Sequence, residues 1–181
     1  VGVAVPPWNF PLSLIGGMVA AAVVTGNSIV CKPSSDSPIV AYKFVELCEK
    51  AGIPAGVVNY IPGSGSDIGD YIVEHPLTRF INFTGSKAIG CRINEHAAKI
   101  SKGQKWIKRV VAEMGGKNAI IVDSSANIKK AAQGIANSAF TFQGQKCSAC
   151  SRAIVMSDVY DELVDAVVEE AKKLKADQGA G

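Results

Sequence analysis

Two residues in this sequence could carry covalent and acid–base chemistry. Cys147 lies in Gly144-Gln145-Lys146-Cys147-Ser148-Ala149-Cys150, a glycine-framed stretch beyond a long apolar run. The adjacent Lys146 would favour the thiolate, the form that attacks an electrophile. Spacing alone leaves open a buried structural thiol, or a redox dithiol made with Cys150. A zinc site needs further ligands at suitable spacing, and Cys31, Cys48 and Cys91 are scattered, so no metal is expected. Glu113 follows the apolar run Val110 to Ala112 and precedes Met114-Gly115-Gly116. A carboxylate at the end of a buried strand can have a raised pKa and serve as a base; the other reading is a surface charge at a turn. The two histidines, His75 and His96, sit in polar settings and are expected to be solvated. That argues against a cysteine–histidine hydrolase.

Three short stretches could meet a phosphate. Gly63, Gly65 and Gly69 fall between a strand pattern and a helix pattern, where bare backbone N–H groups can face an anion. Their G-x-G-x-x-x-G spacing departs from the standard dinucleotide fingerprint, and no G-x-x-x-x-G-K-[ST] loop exists. Cofactor binding and an ordinary tight turn both fit. Phe83-Thr84-Gly85-Ser86 offers a glycine and two hydroxyls at an equivalent junction, and Lys32-Pro33-Ser34-Ser35 adds a cation. Junctions at strand carboxyl ends are where open α/β sheets bind ligands.

The elements that must position these residues alternate short β-branched runs with longer amphipathic stretches. Strands are predicted at 1–5, 28–31, 57–61, 79–83 and 110–113. Helices are predicted at 12–24, 38–50, 66–74 and 86–99. Beyond Gly115 and Gly116 come a strand at 119–122, a helix at 127–142, a strand at 152–156 and a helix at about 159–175. This is the pattern of a doubly wound parallel α/β sheet, with a boundary near residue 115. With 48% hydrophobic and 19% charged residues, the chain can bury a core. A net charge of +3 over 181 residues implies no polyanionic partner, so nucleic acid is not expected. The most apolar run, 11–24, falls short of the roughly 20 residues that span a bilayer, so no membrane association is expected. Five cysteines, mostly within apolar segments, point to a reducing compartment. The chain opens without Met on an apolar strand and stops just past a helix, as expected of an internal fragment.

Taken together, Pro7-Trp8-Asn9-Phe10, Phe83-Thr84-Gly85-Ser86, Glu113-Met114-Gly115-Gly116-Lys117 and Gly144-Gln145-Lys146-Cys147 resemble the signature motifs of the NAD(P)-dependent aldehyde dehydrogenases, in that family's order. The separation of Glu113 and Cys147 matches as well, and the resemblance runs the length of the chain. Within the superfamily, the stretch from Gln143 to Arg152 is most similar to the Δ1-pyrroline-5-carboxylate dehydrogenases, which oxidise glutamate γ-semialdehyde to glutamate. Many members carry a lysine ten residues beyond the motif tryptophan; here that place is Met18, and the pyrroline-carboxylate branch also lacks the lysine.

The resemblance implies a Rossmann-like NAD-binding domain over 1–114 with its N-terminal part missing. The first part of a second, catalytic α/β domain would follow over 115–181. It makes Cys147 the nucleophile, Asn9 the oxyanion donor and Glu113 the base for hydrolysis. It places Trp8, Lys32, Ser35, Gly65, Phe83, Gly85 and Ser86 with the cofactor and Ser148 near the substrate. It further implies NAD as cofactor, with NADP possible, and a small aldehyde as substrate. The full-length parent would be a homo-oligomer, in the cytoplasm or, in a eukaryote, the mitochondrial matrix. The competing readings are a non-catalytic binding module of the same fold and an aldehyde dehydrogenase of different specificity.

Overall fold

The computed structural model describes residues 1–175, which fold as two compact units divided between Met114 and Gly115. In the first unit, β1 (Gly2–Val5), β2 (Ile29–Cys31), β3 (Val58–Tyr60), β4 (Phe80–Thr84) and β5 (Arg109–Glu113) form one parallel sheet in the order β3-β2-β1-β4-β5. Between them run α1 (Ser13–Val24), α2 (Pro38–Lys50), α3 (Asp70–Glu74) and α4 (Lys87–Ala98). Every register pairing is parallel, with Gly2 opposite both Ile29 and Phe80. This is the doubly wound, Rossmann-like arrangement that the alternating pattern predicts.

Strand periodicity decides which face each residue enters. Ala4, Ile29 and Cys31 pack with Ile15, Val19 and Ala22 of α1 and Ala41 of α2. Val3, Ile81 and Phe83 point the other way, against Ile72 and Val73 of α3 and Ile93 and Ala97 of α4. Each face of the sheet is therefore covered by its own helix pair. Gly2 must be glycine for close packing, because a Cβ there would lie 2.2 Å from the Phe80 ring.

Helix limits follow local chemistry. Pro38 opens α2, where its missing N–H costs nothing. Ser86 caps α4, its Oγ accepting from Ile89 N at 3.3 Å. The helix predicted over 66–74 divides: Gly65–Gly69 makes a wider, π-type turn and only Asp70–Glu74 is α-helical. Two glycines within one turn weaken α geometry, and the Ser64 side chain accepts from Asp67 N to start the wider turn.

In the second unit, β6 (Asn118–Val122) and β7 (Cys150–Val155) pair in parallel. One face carries α5 (Ile128–Phe140) and α6 (Tyr160–Lys172) around Val122, Ala132, Ile135 and Leu163. The helix predicted to reach residue 142 stops at Phe140. Thr141–Gly144 then makes a tight turn in which Phe142 and Gln143 adopt φ of 58° and 53°. Two consecutive left-handed non-glycine residues are costly and have no sequence signature. Among the described residues no helix is long and apolar enough to cross a membrane.

Candidate active site

All five strands of the first unit end on one edge of the sheet, and the strand order reverses between β1 and β4. A crevice at such a switch point is where open α/β sheets take a dinucleotide. β1 runs into Pro6-Pro7-Trp8-Asn9, a bend before α1 in which Trp8 is exposed and Asn9 half-buried. β4 ends in Thr84-Gly85-Ser86, and Gly85 N donates to the Glu113 carbonyl at 3.0 Å, fastening the ends of β4 and β5 together. Ser86 spends an oxygen lone pair on its helix cap, which leaves its O–H to donate elsewhere. Phe83 faces the core, 4% exposed, and a Cβ on Gly85 would lie 2.6 Å from its ring. Its ring therefore shapes the turn from beneath.

Lys32 is buried at the end of β2, and its ammonium donates to the carbonyls of Gly63 at 3.0 Å and Pro33 at 3.1 Å. Burial pushes its pKa below the ordinary lysine value. The bonds tie the end of β2 to the glycine turn after β3. Ser35 is exposed in the turn before α2, beside Asp36, whose N–H donates to Ser34 Oγ at 3.3 Å.

Between the glycine turn and α4 lies a cavity of about 330 Å³. Lys32, Gly65, Ser66, Asp70, Ile89 and Arg92 are among its lining residues. A Cβ on Gly65 or Gly69 would meet nothing within 4 Å, so bare backbone borders open space there. A cavity of this size with one peptide wall, one apolar wall and polar groups at its margin suits part of a nucleotide. The residues present fit a dinucleotide.

Of the two sequence readings of Glu113, its position fits the surface charge. β5 is the edge strand, Val110 and Ala112 turn inward, and Glu113 is exposed instead of closing a buried strand. His96 differs from the sequence reading. It is not a solvated side chain but lies 14% exposed between α3 and α4, its Nδ1 2.8 Å from Glu74 Oε1. α3 presents its carboxylates to α4, a pairing that spans 22 positions of sequence. His75 is half-buried, and its Nδ1 accepts from Leu77 N at 3.2 Å.

Cys147 stands in the second unit, on the loop between the left-handed turn and β7. It is exposed, which removes the reading of a buried structural thiol. Its backbone is held firmly. The Asn118 amide donates to the Cys147 carbonyl, Lys146 N donates to the Gly144 carbonyl at 2.8 Å, and Ala149 N to that of Lys146 at 3.2 Å. Gly116 makes room, since a Cβ there would lie 2.9 Å from the Cys147 carbonyl oxygen. Downstream, Cys150 N donates to Ser138 Oγ at 3.1 Å, and the Cys150 thiol donates to the Arg152 carbonyl. Ser148 is exposed beside the thiol. By contrast, Cys31 is fully buried at the end of β2 and its pKa is pushed up to about 12 by burial, with Cys48 adding to the shift.

Asn118, Gly116 and Ser138 are positioning residues that sequence reasoning missed. Gly116 already stood within a quoted motif, but only the fold brings Asn118 and Ser138 to this loop. Among the described residues no three His, Cys, Asp or Glu side chains are grouped to hold a metal ion.

Comparison with known proteins gives one consistent pattern. A 1-pyrroline-5-carboxylate dehydrogenase of Geobacillus thermodenitrificans is 61% identical over 174 residues, covering 96% of this chain and 34% of that protein. The 1-pyrroline-5-carboxylate dehydrogenase from Thermus, solved with bound NAD, superposes with a TM-score of 0.90 at 46% identity, covering 96% of this chain and 34% of that one. Proline utilization A from Bdellovibrio bacteriovorus gives a TM-score of 0.92 at 49% identity over 96% of this chain and 18% of that one. The chain thus spans about a third of the length of the curated relatives it matches. The profile of the aldehyde dehydrogenase family matches residues 1–180, and the chain belongs to that family.

Proposed function

We propose that this chain supplies the dinucleotide-binding domain, 1–114, and the first part of the catalytic domain, from 115 onward, of an NAD-dependent dehydrogenase. Its substrate is glutamate γ-semialdehyde, the open form of Δ1-pyrroline-5-carboxylate, and its product glutamate. One observation carries this reading: Cys147 is exposed on a pinned loop that follows a left-handed turn, in a chain 61% identical to a 1-pyrroline-5-carboxylate dehydrogenase.

The residues divide the work. The Cys147 thiolate adds to the aldehyde carbon, giving a thiohemiacetal whose oxyanion needs donors placed in advance. The Asn9 amide and the Cys147 backbone N–H are assigned that role. NAD, when bound, supplies the hydride acceptor. Glu113 then takes a proton from the water that hydrolyses the cysteine thioester. Ser148 is assigned to the substrate carboxylate. Trp8, Lys32, Ser35, Gly65, Gly85 and Ser86 are assigned to the dinucleotide, and Phe83 supports the turn that carries the last two. Ser35 is neutral, so repulsion of a 2′-phosphate is weak and NADP is accepted as the lesser cofactor.

The test uses the full-length parent protein. Cys147→Ser abolishes aldehyde oxidation while Cys150→Ser keeps most of it; equal loss from both would instead favour the dithiol. Glu113→Gln gives one burst of NADH and then stalls as the thioester. A variant that binds cofactor normally yet shows no burst removes Glu113 from the base role.

A further inference from the structure

Three consecutive residues between α5 and β7 are left-handed: Phe142 at φ 58°, Gln143 at φ 53° and Gly144 at φ 68°. Glycine adopts this conformation freely, but a residue with a Cβ does so at a cost, and ordinarily singly. Gly144 has a further reason to be glycine, since a Cβ there would lie 2.9 Å from the Ala139 carbonyl oxygen. The Gln143 side chain offers no such reason, being exposed and making no hydrogen bond among the described residues. Its conformation is therefore imposed by the path of the chain, and strain of this kind persists only where the surroundings over-determine it.

The surroundings do so from both sides. Before the turn, the Thr141 N–H donates to the Asn137 carbonyl and ends α5. After it, Gln145 N donates back to the Phe142 carbonyl at 3.0 Å. Lys146 N donates to the Gly144 carbonyl at 2.8 Å across Gln145, whose φ of −78° and ψ of 50° make an inverse γ-turn. Ala149 N then donates to the Lys146 carbonyl at 3.2 Å, which puts Cys147 and Ser148 at the two central positions of a β-turn. The loop returns to its origin, because Cys150 N donates to Ser138 Oγ on α5. Both ends are thus tied to the last turn of one helix, and the Cys147 carbonyl is tied to Asn118. Between such fixed points the chain reaches Cys147 in this register by doubling back at 142–144. An extended residue advances the chain by roughly 3.3 Å, so a Gln143 that left the left-handed region would carry the thiol off its place.

We propose that the left-handed pair Phe142 and Gln143 is a positioning device for the Cys147 thiol, with Gln143 acting through its backbone conformation and not through its side chain. This rests on the reading of Cys147 as the nucleophile.

The test uses the full-length parent and three variants of one position. Asparagine and glycine enter the left-handed region readily, whereas a β-branched valine resists it. Gln143→Gly and Gln143→Asn therefore keep kcat for aldehyde oxidation within about threefold of wild type, even though glycine has no side chain at all. Gln143→Val lowers kcat about tenfold or more and slows the single-turnover burst of NADH equally, because a misplaced nucleophile delays the chemical step. Its dissociation constant for NAD and its KM for the aldehyde stay within about twofold of wild type. Equal losses in all three variants would overturn the proposal in favour of a side-chain role, and wild-type turnover by Gln143→Val would show that the conformation does not matter. Loss of NAD binding by Gln143→Val would overturn it too, since the turn would then support the whole fold and not the thiol. Full activity of Cys147→Ser would instead defeat the nucleophile reading itself and leave the turn nothing to position.

Discussion

Replacing Asn118 with Ala removes the amide that holds the Cys147 carbonyl, and Gly116→Ala pushes a methyl toward the same oxygen. Both act on the proposed nucleophile through its backbone, without touching the sulfur. In the full-length protein each lowers kcat about tenfold or more, since small displacements of a reacting group are expensive. Cofactor affinity, which the proposed assignment sets in the other unit, stays unchanged; a parallel loss of cofactor binding in a titration would show that the variant misfolds. The thiols give a second test at this scale. Cys147 and Cys91 are exposed, whereas Cys31 is fully buried and its pKa is pushed up to about 12. Alkylation by iodoacetamide at neutral pH, followed by mass spectrometry, labels the first two and spares Cys31. The motif around Cys147 made it a candidate from sequence, but its exposure was open there, because a thiol in a glycine-framed turn serves either purpose. What ties the loop down was hidden, because Asn118 and Ser138 reach it only after the β6–β7 pair has formed. The left-handed pair Phe142 and Gln143 was equally hidden, since neither residue type favours positive φ.

At the scale of elements, strand ends and helix starts hold the residues proposed for the cofactor, and Lys32 shows how one side chain couples two of them. Its ammonium joins the end of β2 to the glycine turn through the Gly63 and Pro33 carbonyls. Lys32→Met removes both bonds while keeping an unbranched apolar stem. The variant loses about 2 kcal/mol of stability in urea unfolding, the usual size for hydrogen bonds made by a charged group. There is also a pH signature. Burial lowers the folded-state pKa of Lys32 below its unfolded value. Between the two values the unfolded chain binds the extra proton, so stability rises with pH there. The wild type therefore gains stability relative to Lys32→Met as pH climbs toward the ordinary lysine range; a constant difference across that range would show that burial does not govern this group. The β–α alternation was readable because parallel strands buried on both faces are continuous apolar runs, as at Val1 to Val5. The boundaries of α2 were readable for a different reason, the proline at its start and the turn residues after it. The split of the helix predicted at 66–74 was not readable, because capping by Ser64 competes with helix geometry in a way that periodicity does not register.

For the molecule as a whole, apolar surface decides what this chain can do alone. Among the described residues of the second unit two strands pair, and their outward residues Ile121 and Ile154 lie opposite each other, 77% and 54% exposed. The inward residues Val122 and Val155 pack on the helices. A two-stranded sheet with one naked apolar face is marginal in water, and paired exposed isoleucines mark a surface that another part of a protein normally covers. In the first unit Val111 of the edge strand is 57% exposed, an apolar side chain on an unpaired edge. The curated relatives are about three times as long as the matched segment, so their additional chain is available to cover such faces. The 181-residue chain by itself is therefore expected to bind the dye ANS, to self-associate as its concentration rises, and to produce no NADH from an aldehyde. The full-length parent should show none of the dye binding and full turnover. Light scattering and dye fluorescence on the short chain, with Ile121→Lys and Ile154→Lys as controls, separate the cause. If both charged variants suppress association and turnover is still absent, the deficit lies in missing catalytic parts. Steady NADH production by the short chain, at a rate near the parent's, would show instead that these 181 residues suffice for catalysis and that the exposed faces cost it nothing.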